Sequence, residues 1–361
     1  MFKIRKVEFI NHPILGDLTL DFCDASGHAV DTVIFAGENG VGKSTILNAL
    51  YELSANNTKT ELNLEIERTE GIEVLQYRRD ERNNLIYVFD STKSGYYIGS
   101  DDFKQIYNFH GIFSDVDINF HSNDLSNVTS LALDQKIESR RSSNNLPTEI
   151  KQLLIDIQAL DDADIAYWVK HNFGVNTDKM VISERIPRFT KAFAGMFDNL
   201  EYDRIENVDG HKEILFSKSG HNIPIDALSS GEKQIVYRGC FLLKDANAMN
   251  GAFVFIDEPE ISLHPKWQMK VMDYYKGIFT DESGKQTSQI FAVTHSPFII
   301  HNENRKNDKV IVLARDSNGK IVVKDKPAYY KCSSVEAVRD AFEIHDFDSG
   351  NPTVYLEGRT D

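Results

Sequence analysis

Along the first fifty residues, apolar and polar positions alternate in short runs. Lys3–Phe9 and residues 18–22 carry the period-two pattern of half-buried strands, divided by a turn at Leu15-Gly16-Asp17. Thr32-Val33-Ile34-Phe35-Ala36 abandons the alternation for a continuous apolar run, as expected of a strand covered on both faces. It leads through a glycine-rich turn into the 3.6-residue period of a helix over 44–53. Four short strands follow at 62–67, 74–78, 85–89 and 96–98, separated by Glu70-Gly71, Asn83-Asn84 and Lys93-Ser94-Gly95, which predicts hairpins. Residues 122–145 turn polar, rich in Ser and Asn, and predict a loop or a mobile lid. Ile150, Leu153, Leu154, Ile157 and Leu160 then share one face of a helix opened by Pro147-Thr148-Glu149, and Asp161-Asp162-Ala163-Asp164 is expected to start another. Strand character returns at 204–207 and 213–216. Two further apolar runs, Ala252-Phe253-Val254-Phe255-Ile256 and Gln289-Ile290-Phe291-Ala292-Val293, complete a parallel-sheet pattern with helices between. The expected fold is α/β: a mixed or parallel central sheet, an N-terminal antiparallel β-subdomain and a helical insert. There is no internal repeat and no long heptad run.

Composition adds limits. Of 361 residues, 41% are hydrophobic and 26% charged, ordinary for a soluble globular chain. No run approaches the ~18 apolar residues of a membrane helix, and Met1-Phe2-Lys3-Ile4-Arg5-Lys6 lacks the apolar core of a signal peptide. Cys23, Cys240 and Cys332 lack metal spacing, so a reducing, cytoplasmic location without membrane contact is expected. Forty basic against 55 acidic residues give a net charge of −15, which argues against a surface that is basic throughout for nucleic acid. Arg78/Arg79/Arg82, Arg140/Arg141 and Arg185/Arg188/Lys191 form small basic clusters, either solvated surface or a local groove.

The chemistry is concentrated in four places. Gly37-Glu38-Asn39-Gly40-Val41-Gly42-Lys43-Ser44 fits the phosphate-loop pattern G-x-x-x-x-G-K-[ST], with a buried strand before it and a helix after. Glycines let the backbone curl so that successive N–H groups face phosphate oxygens, and the helix adds its positive end. Lys43 would neutralise the β- and γ-phosphates of ATP, and the Ser44 hydroxyl would serve Mg²⁺. Ile256-Asp257-Glu258-Pro259 ends the second buried strand, on the edge where open parallel sheets bind ligands. There Asp257 would assist the metal and Glu258 would polarise the attacking water. His295, in Thr294-His295-Ser296-Pro297 at the end of the third strand, can hydrogen-bond a γ-phosphate. Leu228-Ser229-Ser230-Gly231-Glu232-Lys233-Gln234 reads as a capping box, Ser229 with Glu232 three residues on, and equally as a second anion site. Two anion sites for one triphosphate make sense where two subunits face each other.

Together, in this order, the phosphate loop, the Leu-Ser-Ser-Gly-Glu signature, the Ile-Asp-Glu-Pro-Glu strand end and the Thr-His-Ser-Pro turn resemble the ABC-type ATPases. Glu258-Pro259-Glu260-Ile261-Ser262-Leu263-His264-Pro265 is similar to the SMC/RecF/OLD group rather than to transporter subunits. The resemblance implies an ABC-ATPase head in which Gly37, Asn39, Gly40, Gly42, Lys43, Ser44 and Thr45 hold the nucleotide. Ser44 and Asp257 would serve Mg²⁺, Glu258 would be the catalytic base and His295 the switch histidine. Ser229 and Gly231 would bind ATP held by the opposite protomer of a homo-oligomer. One departure is that 113–120, where the family carries its Q-loop glutamine, contains none; Ser114, Asp115 and Asp117 are the candidates to replace it.

The last residues, Val354-Tyr355-Leu356-Glu357-Gly358-Arg359-Thr360-Asp361, resemble the first motif of a Toprim fold, or form an ordinary strand and turn. Toprim modules are joined to such ATPases in OLD nucleases and in the anti-phage PARIS systems, whose AriA-type ATPases this chain resembles. A single glutamate cannot hold a catalytic metal pair, so nuclease activity of this chain alone is not expected. The implied organisation is a first ATPase lobe at 1–120, a polar lid and helical insert at 121–200, a segment with signature, acidic strand and histidine at 201–330, and a linker with the start of a Toprim module at 331–361. The implied function is ATP hydrolysis gating a nuclease effector in anti-phage defence, with a phage protein as a possible trigger. Two rival readings are a RecF-like repair ATPase that binds DNA and a scaffold or sensor with little turnover.

Overall fold

The computed structural model describes residues 2–80, 85–92, 95–97, 107, 109–116, 121–129, 139–175, 185–190, 193, 196–244, 251–281, 283–300 and 308–324. From the N-terminus, β1 (Lys3–Phe9) and β2 (Thr19–Asp21) precede β3 (Thr32–Gly37), which runs into helix α1 (Lys43–Ser54). Strands β4 (Leu62–Arg68), β5 (Gly71–Arg79), β6 (Ile86–Asp90), β7 (Gly95–Tyr97), β8 (Gly111–Ser114) and β9 (Arg140–Arg141) follow. Helices α2 (Leu146–His171) and α3 (Ile186–Thr190) lead to β10 (Leu200–Val208), β11 (His211–Lys218) and β12 (His221–Pro224). The remainder alternates: α4 (Ser230–Leu243), β13 (Phe253–Asp257), α5 (Pro265–Ile278), β14 (Gln289–Val293), α6 (Pro297–Ile300), β15 (Asp308–Arg315) and β16 (Ile321–Val323).

The three apolar runs lie side by side at the centre of a seven-stranded sheet, in the order β16-β15-β3-β14-β13-β8-β9, parallel except for the β15–β16 hairpin. Their alternation divides two cores. Val33, Phe35, Phe253 and Phe255 face α1 and the N-terminal sheet, whereas Ile34, Ala36, Val254 and Ile256 face α2, α4 and α5. On the α1 side, Phe113, Phe255 and Phe291 stack across adjacent strands. This two-sided burial is why these strands are continuously apolar.

The N-terminal antiparallel sheet has the order β2-β1-β4-β5-β6-β7, and the predicted hairpins form it. Gln289 fastens it to the central sheet by accepting from the Ile4 N–H at 2.7 Å and donating to the Ile4 carbonyl at 3.0 Å. A third sheet, β10-β11-β12, packs on the helical side.

Two expectations need correction. No second helix starts at Asp161: α2 runs unbroken through it to His171. The Asp161 carboxylate caps nothing in its own helix; it accepts from the Arg185 and Ile186 N–H groups and from the Arg185 guanidinium. Of the two alternatives for the polar stretch 122–145, its described part 122–129 is the loop and not a free lid. Leu125 accepts from the Lys212 N–H, Thr129 is bonded to Asp156, and Arg140–Arg141 add a strand beside β8.

Candidate functional site

β3 delivers the chain to the loop that opens α1, and the loop needs its glycines. Gly37, Gly40 and Gly42 have φ of 136°, 78° and 83°. A Cβ on Gly37 would lie 2.3 Å from the Leu313 carbonyl oxygen, and one on Gly42 would lie 2.8 Å from a Leu15 methyl. Glu38, Asn39 and Gly40 form the exposed rim, Thr45 is half-buried, and Arg315 donates to the Gly40 carbonyl at 2.7 Å. α1 has no side-chain cap and no acid in its first turn, so its positive end is left to an anion.

Lys43 is buried, and its Nζ donates to the carbonyls of Gly37 at 2.8 Å and Glu38 at 2.6 Å. Burial pushes its pKa down to about 8, against the pull of Glu258, Asp257, Glu260 and Glu38. A desolvated cation in a glycine loop, beside the uncapped start of α1, suits a phosphate group.

Asp257 closes β13 opposite Ser44, whose hydroxyl donates to Oδ1 at 3.4 Å. Burial pushes Asp257 up to about 6, with repulsion from Glu258 and Asp115 in the same direction and the Ser44 bond and Arg238 opposing it. These two hard oxygen donors, one of them a destabilised carboxylate, suit Mg²⁺, which takes its other ligands from phosphates and water. Glu258 follows in a left-handed conformation, φ 43°, and its Oε1 lies 3.8 Å from His295 Nε2. His295 is held below the usual imidazole range by burial and by Lys43, with Glu258 pulling the other way, so it is neutral at pH 7.

The sequence-predicted residues thus divide. Lys43, Ser44, Asp257, Glu258 and His295 converge at the carboxyl ends of β3, β13 and β14. Ser229 and Gly231 open α4, and among the described residues no hydrogen bond or ion pair joins them to the phosphate loop. Both halves of the capping box form: Ser229 accepts from the Glu232 N–H at 3.4 Å and its own N–H donates to the Glu232 carboxylate at 3.0 Å. Gly231 is buried, and a Cβ there would lie 2.8 Å from the Ser262 carbonyl oxygen and 3.1 Å from the Trp267 ring. The glycine is therefore required by packing inside this chain. At the Q-loop position Ser114 is buried, and the Asp115 carboxylate is committed to Arg141 at 2.6 and 2.8 Å. Asp117 and the Toprim-like motif around Glu357 lie outside the described residues.

Sequence reasoning missed the residues that hold this site. Glu260 accepts from the His295 N–H at 2.6 Å, and Gln268 accepts from the Ser296 hydroxyl at 2.6 Å, so the histidine turn is fixed from both sides. Glu260 was visible inside the acidic motif; Gln268, four residues beyond the His264 cap of α5, carried no signal of its own. Fully buried Arg238 donates to the carbonyls of Asp115 and Glu258.

The fold matches that of ABC-type ATPase heads. Solved structures agree on the fold: the SMC head domain from Thermotoga maritima matches at a TM-score of 0.51 and 13% identity, covering 89% of this chain and 98% of that one. The Smc head domain with a coiled coil and joint from Pyrococcus yayanosii matches at 0.52 and 11% identity, covering 96% and 100%. Over residues 33–301 the chain belongs to the family described as "AAA domain, putative AbiEii toxin, Type IV TA system". It is 24% identical over 225 residues to the "Retron Vc95 probable ATPase" of Vibrio cholerae serotype O1 biovar El Tor, covering 59% of this chain and 39% of that protein. It is 25% identical over 214 residues to "Septu protein PtuA" of Bacillus thuringiensis, covering 55% and 48%. The matched stretches span less than half the length of either relative. No described helix is long and apolar enough to cross a membrane.

Proposed function

We propose that this chain is a cytoplasmic ATPase of an anti-phage defence system, which hydrolyses ATP at an interface between two copies and so gates a nuclease effector. The observation that carries the reading is the convergence of buried Lys43, the Ser44–Asp257 pair and the Glu258–His295 pair on one loop mouth. The retron and Septu likenesses support the defence setting. The Toprim-like and PARIS- or OLD-like features support a nuclease, fused or separate, as the effector, with a phage protein as trigger. The described members of the basic clusters favour this reading over a DNA clamp; Arg82 and Lys191 lie outside the described residues. Arg78 donates to Asn63 and to two carbonyls, Arg140 to the carbonyls that end α4, Arg141 to Asp115, Arg185 to Asp161 and Asp164, and Arg188 to the Lys244 carbonyl.

In the proposed cycle the triphosphate enters the glycine loop, and Lys43 exchanges its bonds to the Gly37 and Glu38 carbonyls for phosphate oxygens. Magnesium, held by Ser44 and Asp257, would supply charge to neutralise the phosphates. Glu258 takes a proton from the water whose oxygen bonds to the γ-phosphorus while the bond from that phosphorus to the β,γ-bridging oxygen breaks, so that ADP and phosphate leave. Neutral His295 donates one ring N–H to a γ-phosphate oxygen, and Glu260 fixes its backbone so that it does not swing away. Ser229 and the N-terminus of α4 complete the site of the opposite copy. Residues 1–120 and 201–330 act as the two lobes, 121–200 as the insert that receives partners.

Assembly tests this. The Glu258→Gln variant should shift from monomer to dimer mass in light scattering with ATP and Mg²⁺, and not with ADP. The same mass with either nucleotide would rule out the composite site.

A further inference from the structure

We infer that Arg238 is a positioning residue for Glu258: its guanidinium ties the helix carrying Ser229 and Gly231 to the backbone that aims the catalytic carboxylate. The inference rests on the reading of Glu258 as base.

Arg238 has no solvent exposure. A buried cation costs a great deal unless it is paired, and its usual partner is a carboxylate. The hydrogen bonds of Arg238 go to two backbone carbonyls, Asp115 at 2.8 Å and Glu258 at 3.3 Å, while its charge also acts on the nearby Asp257 carboxylate. Those carbonyls stand where two strands part. β8 and β13 are parallel neighbours whose last paired residues are Ser114 and Ile256. Beyond that rung the ladder offers no partner, and the planar fork of one arginine spans the gap. Lysine, a point charge on a flexible stem, cannot reproduce this span.

The clamp falls where the backbone is strained. Glu258 sits at φ 43°, a region that side chains with a Cβ disfavour. Its N–H is anchored to the Val293 carbonyl at 3.0 Å, and its carbonyl accepts from Arg238 and from the Ile261 N–H, each at 3.3 Å, so both sides of the strained residue are held and Arg238 is the link to α4. A second contact comes from the same helix, one turn earlier: Gln234 donates to the Pro259 carbonyl at 3.4 Å. α4 thus grips two consecutive carbonyls of the turn that presents the base. A generally stabilising residue has no need of that address.

The test is steady-state hydrolysis by the full chain carrying Arg238→Lys. Misplacing a catalytic group by about 1 Å costs about 100-fold, so kcat should fall about 100-fold while KM for ATP stays within about threefold. Combined with Glu258→Gln, Arg238→Lys should add no further loss, because it acts through the carboxylate already removed. A kcat within threefold of the parent, or additive losses in the double variant, would overturn the inference. Full activity of Glu258→Gln alone would instead overturn the base assignment beneath it. Should Arg238→Lys not fold, the unsubstituted protein still decides: its Arg238 Nη protons should give slowly exchanging, rotationally hindered signals in ¹⁵N NMR. A freely rotating, solvent-exchanging guanidinium there would refute the clamp.

Discussion

Lys43 carries the most charge-sensitive part of the site. Because burial, rather than a partner, lowers its pKa to about 8, the nucleotide-free protein keeps the ammonium below that pH and loses it above. Phosphate binds the charged form, so ATP affinity should change little between pH 7 and 7.5 and weaken as pH rises through 8. At pH 9 about a tenth of the lysine stays protonated, which gives about tenfold weaker binding than at pH 7 by titration calorimetry. Equal affinities at pH 7 and 9 would contradict this electrostatics. Residues of this kind were legible in the sequence because their chemistry is tied to fixed spacing: loop glycines, a lysine and a hydroxyl need consecutive positions. The residues that aim them were not. Arg238, Gln268 and Arg315 act through backbone carbonyls or neighbouring side chains brought close by folding, and any spacing would serve.

At the scale of elements, period and burial read well where one face or both faces are buried. β3, β13 and β14 fell where the apolar runs predicted, and the hairpins of the N-terminal sheet within a few residues. β15 went unread although 310–314 is as apolar as the run before the phosphate loop, since no motif follows it to draw notice. β8 has only four residues and β9 two, too short for a period to appear. The false break at Asp161 has a tertiary cause, because an acidic cluster that usually starts a helix here receives a distant loop. The Asp161 side chain is 3% exposed and takes three bonds from Arg185 and Ile186. Asp161→Ala should therefore lower stability by about 2–3 kcal/mol in urea unfolding, with α3 exchanging amide hydrogens faster. A loss under about 0.5 kcal/mol would mean that α3 is held by its apolar contacts alone.

The whole molecule sets the phosphate loop and the capped start of α4 on one frame. The phosphate loop and acidic strand lie at one sheet edge, and the signature serine opens α4, whose later turns hold Glu258 and Pro259 from behind. Among the described residues no hydrogen bond or ion pair joins those ends within one chain, which fits the proposal that two copies share a nucleotide. On that proposal hydrolysis is a property of the assembly. The net charge of −15 and the internally bonded arginines support the proposed protein effector over a DNA clamp. The most direct measurement is release of phosphate from ATP and Mg²⁺ by the parent, Lys43→Ala and Glu258→Gln proteins, with nucleotide binding read in parallel. We expect turnover by the parent, loss of binding and turnover in Lys43→Ala, and retained binding with turnover at least 100-fold lower in Glu258→Gln. Parent-like turnover in Glu258→Gln, or tight ATP binding without Lys43, would contradict the central assignment of this site.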